Sequence, residues 1–372
     1  MSKSPAILIM IHCHENTGYA IASLEDIFYK AALSAGFTDE KIFWSFNGLE
    51  EKQTPKKIDC NYLTPDREQF SSFLKKNMIT TVIAFDLGYP ANVIKLLKKA
   101  GVKNIISYWG ASMSSINTGP KLLLKKIEYT LRKNKPDLFV FESEAMRKTA
   151  TEGRGVPFRA TKVIYLGVDT CRFSPSIEPN FYAHDQFDIP KDRKIIFYSG
   201  HMEERKGVRV IIKAAIKLIQ NNQLQRIHFV LCGNKGNEAQ IYNDMLINSE
   251  AKNHVTFAGY RSDINLLMRS SSIGVIASTG WDSFTLSSVE MMASGLPLIV
   301  SNLQGLAETT VHEHNGYHIT PGSADELAER IVALTTNPDL AKQFSINSRN
   351  RALKFFTKEK QIKSISELIT FS

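Results

Sequence analysis

The chain carries only four cysteines, Cys13, Cys60, Cys171 and Cys232, scattered with no Cys-x-x-Cys spacing. Neither a disulfide-stapled scaffold nor a cysteine-ligated metal centre is indicated, and reduced thiols in a cytoplasmic protein are expected. No apolar run approaches the roughly 18 residues that a membrane span needs. The N-terminal run Ala6–Ile11 is too short for a signal peptide. His12 and His14 follow it where small residues and a cleavage site would stand, so it reads as a first buried strand. No Gly-x-Gly-x-x-Gly follows a strand, which disfavours a nicotinamide dehydrogenase. Low-complexity segments are absent, as are repeats with a period of about 20–50 residues.

What is present is enough apolar material for two cores: 372 residues, 43% of them hydrophobic. The formal charge is +9, and most of the basic excess lies in residues 1–180, as if that half faced something anionic. No recognisable nucleic-acid module accompanies the charge, so no nucleic-acid partner is expected. Strand-like runs alternate with amphipathic helical stretches, the signature of a parallel α/β architecture. The expected strands in the first half are Ala6–Ile11, Thr81–Phe85, Asn104–Tyr108, Leu138–Glu142 and Lys162–Tyr165, with helices among them at Ala91–Ala100 and Pro120–Lys133. The pattern restarts at Lys194–Tyr198 and continues through His228–Cys232, His254–Ala258, Ser272–Ser278 and Leu298–Ser301. A last helical stretch covers Leu340 to Phe371. The expected division is a first Rossmann-like domain over residues 1–175, a linker over 176–190 and a second such domain over 191–350. Residues 351–372 form a helix returning toward the first domain.

Residues 282–290 read Asp-Ser-Phe-Thr-Leu-Ser-Ser-Val-Glu, two carboxylates at the mouth of a strand-to-helix turn. In an open parallel sheet, ligands lie outside the carboxyl ends of the strands. A helix N-terminus there offers free N–H groups and a positive dipole end, which suit a phosphate. Carboxylates beside that site repel a phosphate and are left to grip hydroxyls. A ligand that combines phosphates with many hydroxyls is a nucleotide sugar.

Three further motifs follow the same order as one known family. Ile164-Tyr165-Leu166-Gly167-Val168-Asp169 is followed by Phe173 and Pro175; Gly200-His201-Met202-Glu203-Glu204-Arg205-Lys206-Gly207 opens the second half; Gln304-Gly305-Leu306-Ala307-Glu308 and Asn315-Gly316-Tyr317 come late. With 282–290, these resemble the retaining glycosyltransferases of family 4, most closely from Val163 to Pro321. That family implies the GT-B fold: two doubly wound Rossmann-like α/β domains facing a central cleft. The sequence departs from the family pattern at three positions, with His201 for Arg, Asp282 for Glu and Thr285 for Gly.

The resemblance assigns Glu290 to the donor ribose hydroxyls, although Ser287-Ser288-Val289-Glu290 also fits a capping box. It places Asp282 on the donor sugar, and the amides of Phe284, Thr285 and Leu286, with Lys206, on the diphosphate. A β-branched Thr285 disfavours positive φ, so a negative-φ turn is expected there. Lys206 stands before a helix start, the unfavourable end for a cation, which argues for an anion in front of it. Gly200, His201 and Arg205 complete the expected donor site, with Arg205 or His201 replacing the missing Arg. In the first half, His12, Asn16, Thr17 and Gly18 follow the first strand where the family has a loop touching donor phosphate and acceptor. Lys206, Asp282 and His12 are the expected catalytic residues, and Trp109 lines the acceptor pocket or belongs to the core. No metal and no cofactor are expected, since the nucleotide sugar is a substrate.

The segment Lys121–Lys133 interleaves leucines with basic residues. It is either a surface helix packing its leucines inward or, through Lys121, Lys125, Lys126 and Lys133, an attachment to an anionic inner leaflet. The expectation is thus a retaining, metal-independent hexosyltransferase. It moves a sugar from a UDP-sugar to a hydroxyl acceptor such as a lipid-linked saccharide or cell-envelope glycan precursor, and is cytoplasmic or peripheral on the inner membrane face. A catalytically silent partner subunit and a GT-B nucleotide-sugar epimerase are the rival readings.

Overall fold

A computed structural model describes residues 5–50 and 54–370. It divides the chain into two compact units, one formed by residues up to Tyr165 together with those from Lys358 onward, the other by Leu166–Thr357.

The first unit is built on a parallel sheet of seven strands: β1 (Ala6–Met10), β2 (Ile42–Phe46), β3 (Lys57–Asp59), β4 (Ile79–Phe85), β5 (Asn104–Trp109), β6 (Leu138–Phe141) and β7 (Thr161–Val163). Their spatial order is β3-β2-β1-β4-β5-β6-β7. Strands covered on both faces read as continuous apolar runs, and β1 is buried at every position. Ile7, Ile9, Ile83, Ile106 and Val140 form its core with Leu24, Ile27 and Phe28 of the helix Tyr19–Ser34. The C-terminal helix Lys358–Thr370 adds Ile365 and Ile369 to that core. It is fastened by the Lys358–Asp26 ion pair (2.6 Å) and by Gln361 Nε2 donating to the Tyr108 hydroxyl (3.0 Å).

The second unit holds a parallel sheet of six strands: β8 (Lys194–Ser199), β9 (Ile227–Cys232), β10 (Val255–Gly259), β11 (Ile273–Ile276), β12 (Leu298–Ser301) and β13 (Gly316–Ile319), in the order β10-β9-β8-β11-β12-β13. Both units are Rossmann-like α/β sheets.

The boundaries differ from those expected. Residues 166–175 belong to the second unit because Arg349, on the helix Pro338–Phe355, donates to the carbonyls of Thr170 and Phe173 (3.1 and 2.9 Å). The stretch 176–190, expected as a linker, contains the helix Tyr182–Gln186 and lies inside that unit. The last helical stretch is two helices, since Phe356 is buried at the end of the first and Thr357 bridges to Val168.

Candidate functional site

β11 runs into a loop and then the helix Leu286–Ala293 at the carboxyl edge of the second sheet. Thr285 is the N-cap with φ −90°, so the turn takes the negative-φ form that its branched side chain requires. Its hydroxyl makes no capping bond, and Oγ1 is buried without a partner. A buried polar atom left unpaired costs about 1–3 kcal/mol, which marks the position as one where a ligand or water completes the bonding. The nearby Trp281 Nε1 is buried and unpartnered as well. Because the helix starts at Leu286, Glu290 is its fifth residue and stands outside the capping-box position. It is 2% exposed.

The turn Glu203–Gly207 is stitched to this loop. The backbone N–H groups of Thr279 and Gly280 donate to the Arg205 carbonyl (2.8 and 3.2 Å), and the Arg205 guanidinium donates to the Trp281 carbonyl (3.0 Å). Gly207 makes the approach feasible: its φ is +77°, and a Cβ there would stand 1.7 Å from the Ala277 carbonyl oxygen. Lys206 Nζ thereby meets both carboxylate oxygens of Asp282, at 3.2 and 3.1 Å. Ser278 Oγ donates to Asp282 Oδ2 at 2.7 Å.

That arrangement corrects one expectation. Lys206 is not an uncompensated charge at a helix start, since Asp282 balances it. Asp282, expected on the donor sugar, is 4% exposed and holds Lys206 and Ser278 through its carboxylate. Its negative charge, after burial itself, also pushes the Tyr198 hydroxyl pKa up. Gly200 and His201 follow β8; His201 is exposed and its carbonyl accepts from the Tyr198 hydroxyl at 2.7 Å. Arg205 is exposed and paired with Glu203 at 2.7 Å. Gly233, not expected from sequence, has φ +117° and a position where a Cβ would meet the Gly200 carbonyl at 2.0 Å.

In the first unit, His12 follows β1 and donates through Nδ1 to the Phe85 carbonyl (3.2 Å) while stacking on the Phe85 ring. Asn16, at φ +60°, donates to Glu50 (2.6 Å), and the Thr17 hydroxyl donates to the His14 carbonyl. These two side chains hold their loop together, and exposed Gly18 caps the helix Tyr19–Ser34. Trp109 ends β5 with its Nε1 buried and unpartnered. Two carboxyl groups beside it were missed by the sequence reading. Asp86 follows β4 at φ +53° and accepts from the Gly110 N–H at 2.9 Å. Glu142 follows β6 and is 6% exposed. Burial raises the pKa of both, and for Glu142 the neighbouring Asp86 raises it further. Asp86 was detectable, since the expected strand Thr81–Phe85 ends immediately before it.

The helix Gly119–Leu131 carries the leucine-rich basic segment, with Lys133 beyond its end. Its backbone lies against Gly155, where a Cβ would stand 2.4 Å from the Lys126 nitrogen. Leu122 is half-buried, but the other leucines do not pack inward. Leu123, Leu124, Ile127 and Leu131 are 60%, 66%, 48% and 75% exposed, beside exposed Lys121 and Lys126. Among the described residues no helix is long and apolar enough to cross a membrane.

Residues 182–351 match the family described as glycosyl transferases group 1. Similar curated proteins include the UDP-Gal:alpha-D-GlcNAc-diphosphoundecaprenol alpha-1,3-galactosyltransferase of Escherichia coli, 26% identical over 55% of this chain and 53% of that protein. An uncharacterized glycosyltransferase of Methanocaldococcus jannaschii is 26% identical over 50% of this chain and 47% of that one. The chain thus spans about half the length of the curated relatives it matches. Among solved structures, a glycosyltransferase from Rickettsia africae superposes with a TM-score of 0.81 at 18% identity, covering 99% of this chain and all of that one. The Anabaena protein HepE, solved in complex with UDP, superposes with a TM-score of 0.78 at 18% identity, again over 99% of this chain and all of its own. These likenesses show the fold: two Rossmann-like units of the GT-B type.

Proposed function

We propose that this protein is a retaining, metal-independent glycosyltransferase that moves a sugar from a nucleoside diphosphate sugar to a hydroxyl acceptor. The observation that carries this reading is the loop Ala277–Thr285 and its helix. There Lys206, an unpartnered buried hydroxyl at the N-cap and a buried carboxylate on the same helix come together at the carboxyl edge of a parallel sheet. The diphosphate would take the Leu286 helix N-terminus, worth about 0.3–1 kcal/mol and up to about 2 when partly buried, together with the Thr285 hydroxyl. Glu290 would receive the ribose hydroxyls. UDP is the preferred carrier because HepE was solved with UDP and with UDP-glucose, and the E. coli relative is named for UDP-Gal.

The chemistry then needs little from the protein beyond positioning and charge stabilisation. The bond from the sugar's anomeric carbon to the diphosphate oxygen breaks, and one to the acceptor oxygen forms on the same face. The hydroxyl proton passes to the departing phosphate oxygen, and Lys206 together with the helix end stabilises the charge that develops there. The acceptor would be a lipid-linked saccharide or cell-envelope precursor, reached at an anionic leaflet through the helix Gly119–Leu131. The outward leucines of that helix support this reading better than its lysines alone.

A second reading has one specific observation in its favour. Asp282 is committed to Lys206 and Ser278, so a domain that binds UDP without turning over sugar is compatible with the site. One calorimetric titration tests the shared part: Glu290→Ala should weaken UDP binding at least tenfold, about 1.4 kcal/mol. Unchanged affinity would remove Glu290 from the ribose site. Transfer of sugar by the wild-type protein then separates the enzyme from the silent binder.

A further inference from the structure

Asp282 and Lys206 form a closed pair in the second unit. Lys206 Nζ stands 3.2 and 3.1 Å from the two carboxylate oxygens, and Ser278 Oγ donates to Oδ2 at 2.7 Å. Both charges are largely removed from water, with side chains 16% and 5% exposed. Neither can leave the other without a replacement, because a buried charge stripped of its partner is strongly destabilising. A diphosphate that takes Lys206 therefore leaves Asp282 with the Ser278 hydroxyl alone of these donors.

The flanking residues show that the loop is incomplete as it stands. Trp281 Nε1 and Thr285 Oγ1, on either side of Asp282 in sequence, are buried without a partner. Orphaned polar atoms of this kind mark a place where bonding is completed by something that enters. The backbone between them and the Lys206 turn is fixed, with the Arg205 carbonyl accepting from the Thr279 and Gly280 N–H groups and the Arg205 guanidinium donating to the Trp281 carbonyl. A Cβ on Gly280 would stand 2.8 Å from the Arg205 Cβ. Loop and turn hold together, so an exchange of partners at Asp282 falls to side chains.

We infer that Asp282 sets a preference of this site for the intact nucleotide sugar over the free nucleoside diphosphate. The inference rests on the nucleotide-sugar reading proposed above and adds an exchange of partners to it. When the diphosphate takes Lys206, a sugar attached to that diphosphate brings hydroxyls that donate to the freed carboxylate. UDP brings no such hydroxyls beside its terminal phosphate, so the carboxylate stays uncompensated and competes to recover Lys206. Charge alone gives the opposite order, since the terminal phosphate of UDP has one more ionisable oxygen and attracts a lysine more strongly. After transfer the sugar hydroxyls leave with the acceptor, and the ion pair re-forms as UDP departs. The pair thereby limits inhibition by the product.

The test uses the full chain and calorimetry with UDP, UDP-glucose and UDP-galactose. The wild type should bind at least one of the two sugar nucleotides about tenfold more tightly than UDP. Asp282→Asn keeps the size of the side chain and removes the charge that holds Lys206. It should raise UDP affinity about tenfold and sugar-nucleotide affinity about twofold or less, so that the preference collapses. If Asp282 only repelled phosphates, both kinds of ligand would gain alike. Ser278→Ala acts in the other direction: it removes the hydroxyl that still holds the carboxylate once Lys206 has gone, so UDP should bind several-fold more weakly. The wild-type ratio and Ser278→Ala decide the matter even where Asp282→Asn does not fold. The inference is overturned if the wild type binds UDP as tightly as both sugar nucleotides, if Asp282→Asn leaves the ratio unchanged, or if Ser278→Ala binds UDP as the wild type does. Those results leave the donor reading standing. Absence of binding by all three ligands, in the wild type and in Asp282→Asn, refutes the donor reading itself and the inference with it.

Discussion

Asp282 is defined in the structure by its partner Lys206. The family resemblance implies a sugar-binding carboxylate; in the structure it is 4% exposed and holds Lys206 through both oxygens. A buried ion pair is sensitive to removal of one partner, because the other is left charged and unpaired. In Asp282→Asn, Lys206 therefore becomes available to any anion that enters. UDP should bind about tenfold more tightly than to wild type, about 1.4 kcal/mol, as read by calorimetry. If Asp282 served only as a sugar ligand, the same substitution would leave UDP affinity unchanged and weaken only the nucleotide sugar. Gly207 belongs to this scale too. Its left-handed φ, and the 1.7 Å at which a Cβ would meet the Ala277 carbonyl oxygen, explain why glycine follows Lys206 in that turn, a constraint spacing cannot display.

Single elements carry the next level of control. β4, β5 and β6 end side by side, bringing Asp86, Tyr108 and Glu142 together at one edge of the first sheet. Burial lifts the Glu142 pKa well above its ordinary 4.5, Asp86 lifts it further, and the hydrogen bond with Tyr108 opposes them. A folded pKa above the unfolded one means that folding takes up a proton between the two values. Stability is then full below pH 4.5 and falls as pH rises through the folded value. Glu142→Gln keeps an acceptor for Tyr108, so it should melt higher than wild type at pH 7 and alongside it near pH 4. Most strands were legible because their apolar runs are continuous. β3 and β13 were not, being short and bordered by polar residues, and β2 was not, its apolar run being broken by Ser45. Thr357 was missed as a helix break because no Gly or Pro marks it; the break comes from its bridge to Val168.

At the scale of the whole molecule, the membrane attachment proposed above is open to a direct test. On the helix Gly119–Leu131, exposed leucines and lysines share the outer surface, which suits an anionic leaflet at about 1 kcal/mol per basic residue near it. Lys125 is partly spent on Glu128 at 2.8 Å, so Lys121 and Lys126 should matter more. Vesicles containing anionic lipid should retain the wild-type protein in a flotation assay and release a variant with Lys121, Lys125, Lys126 and Lys133 changed to Gln. Replacing Leu123, Leu124 and Leu131 by Ser should release it as well; retention of both variants would remove the membrane from the reading. The sequence by itself determined the α/β class and the strand-to-helix turn at 282–290, because period and motif spacing are local properties of the chain. Only the tertiary structure decided that Asp282 answers Lys206 and that Leu123, Leu124 and Leu131 face outward. Those facts depend on which residues meet across long sequence separations. The carboxylate pair at 282 and 290 is local in sequence, yet the partner of Asp282 is 76 positions away.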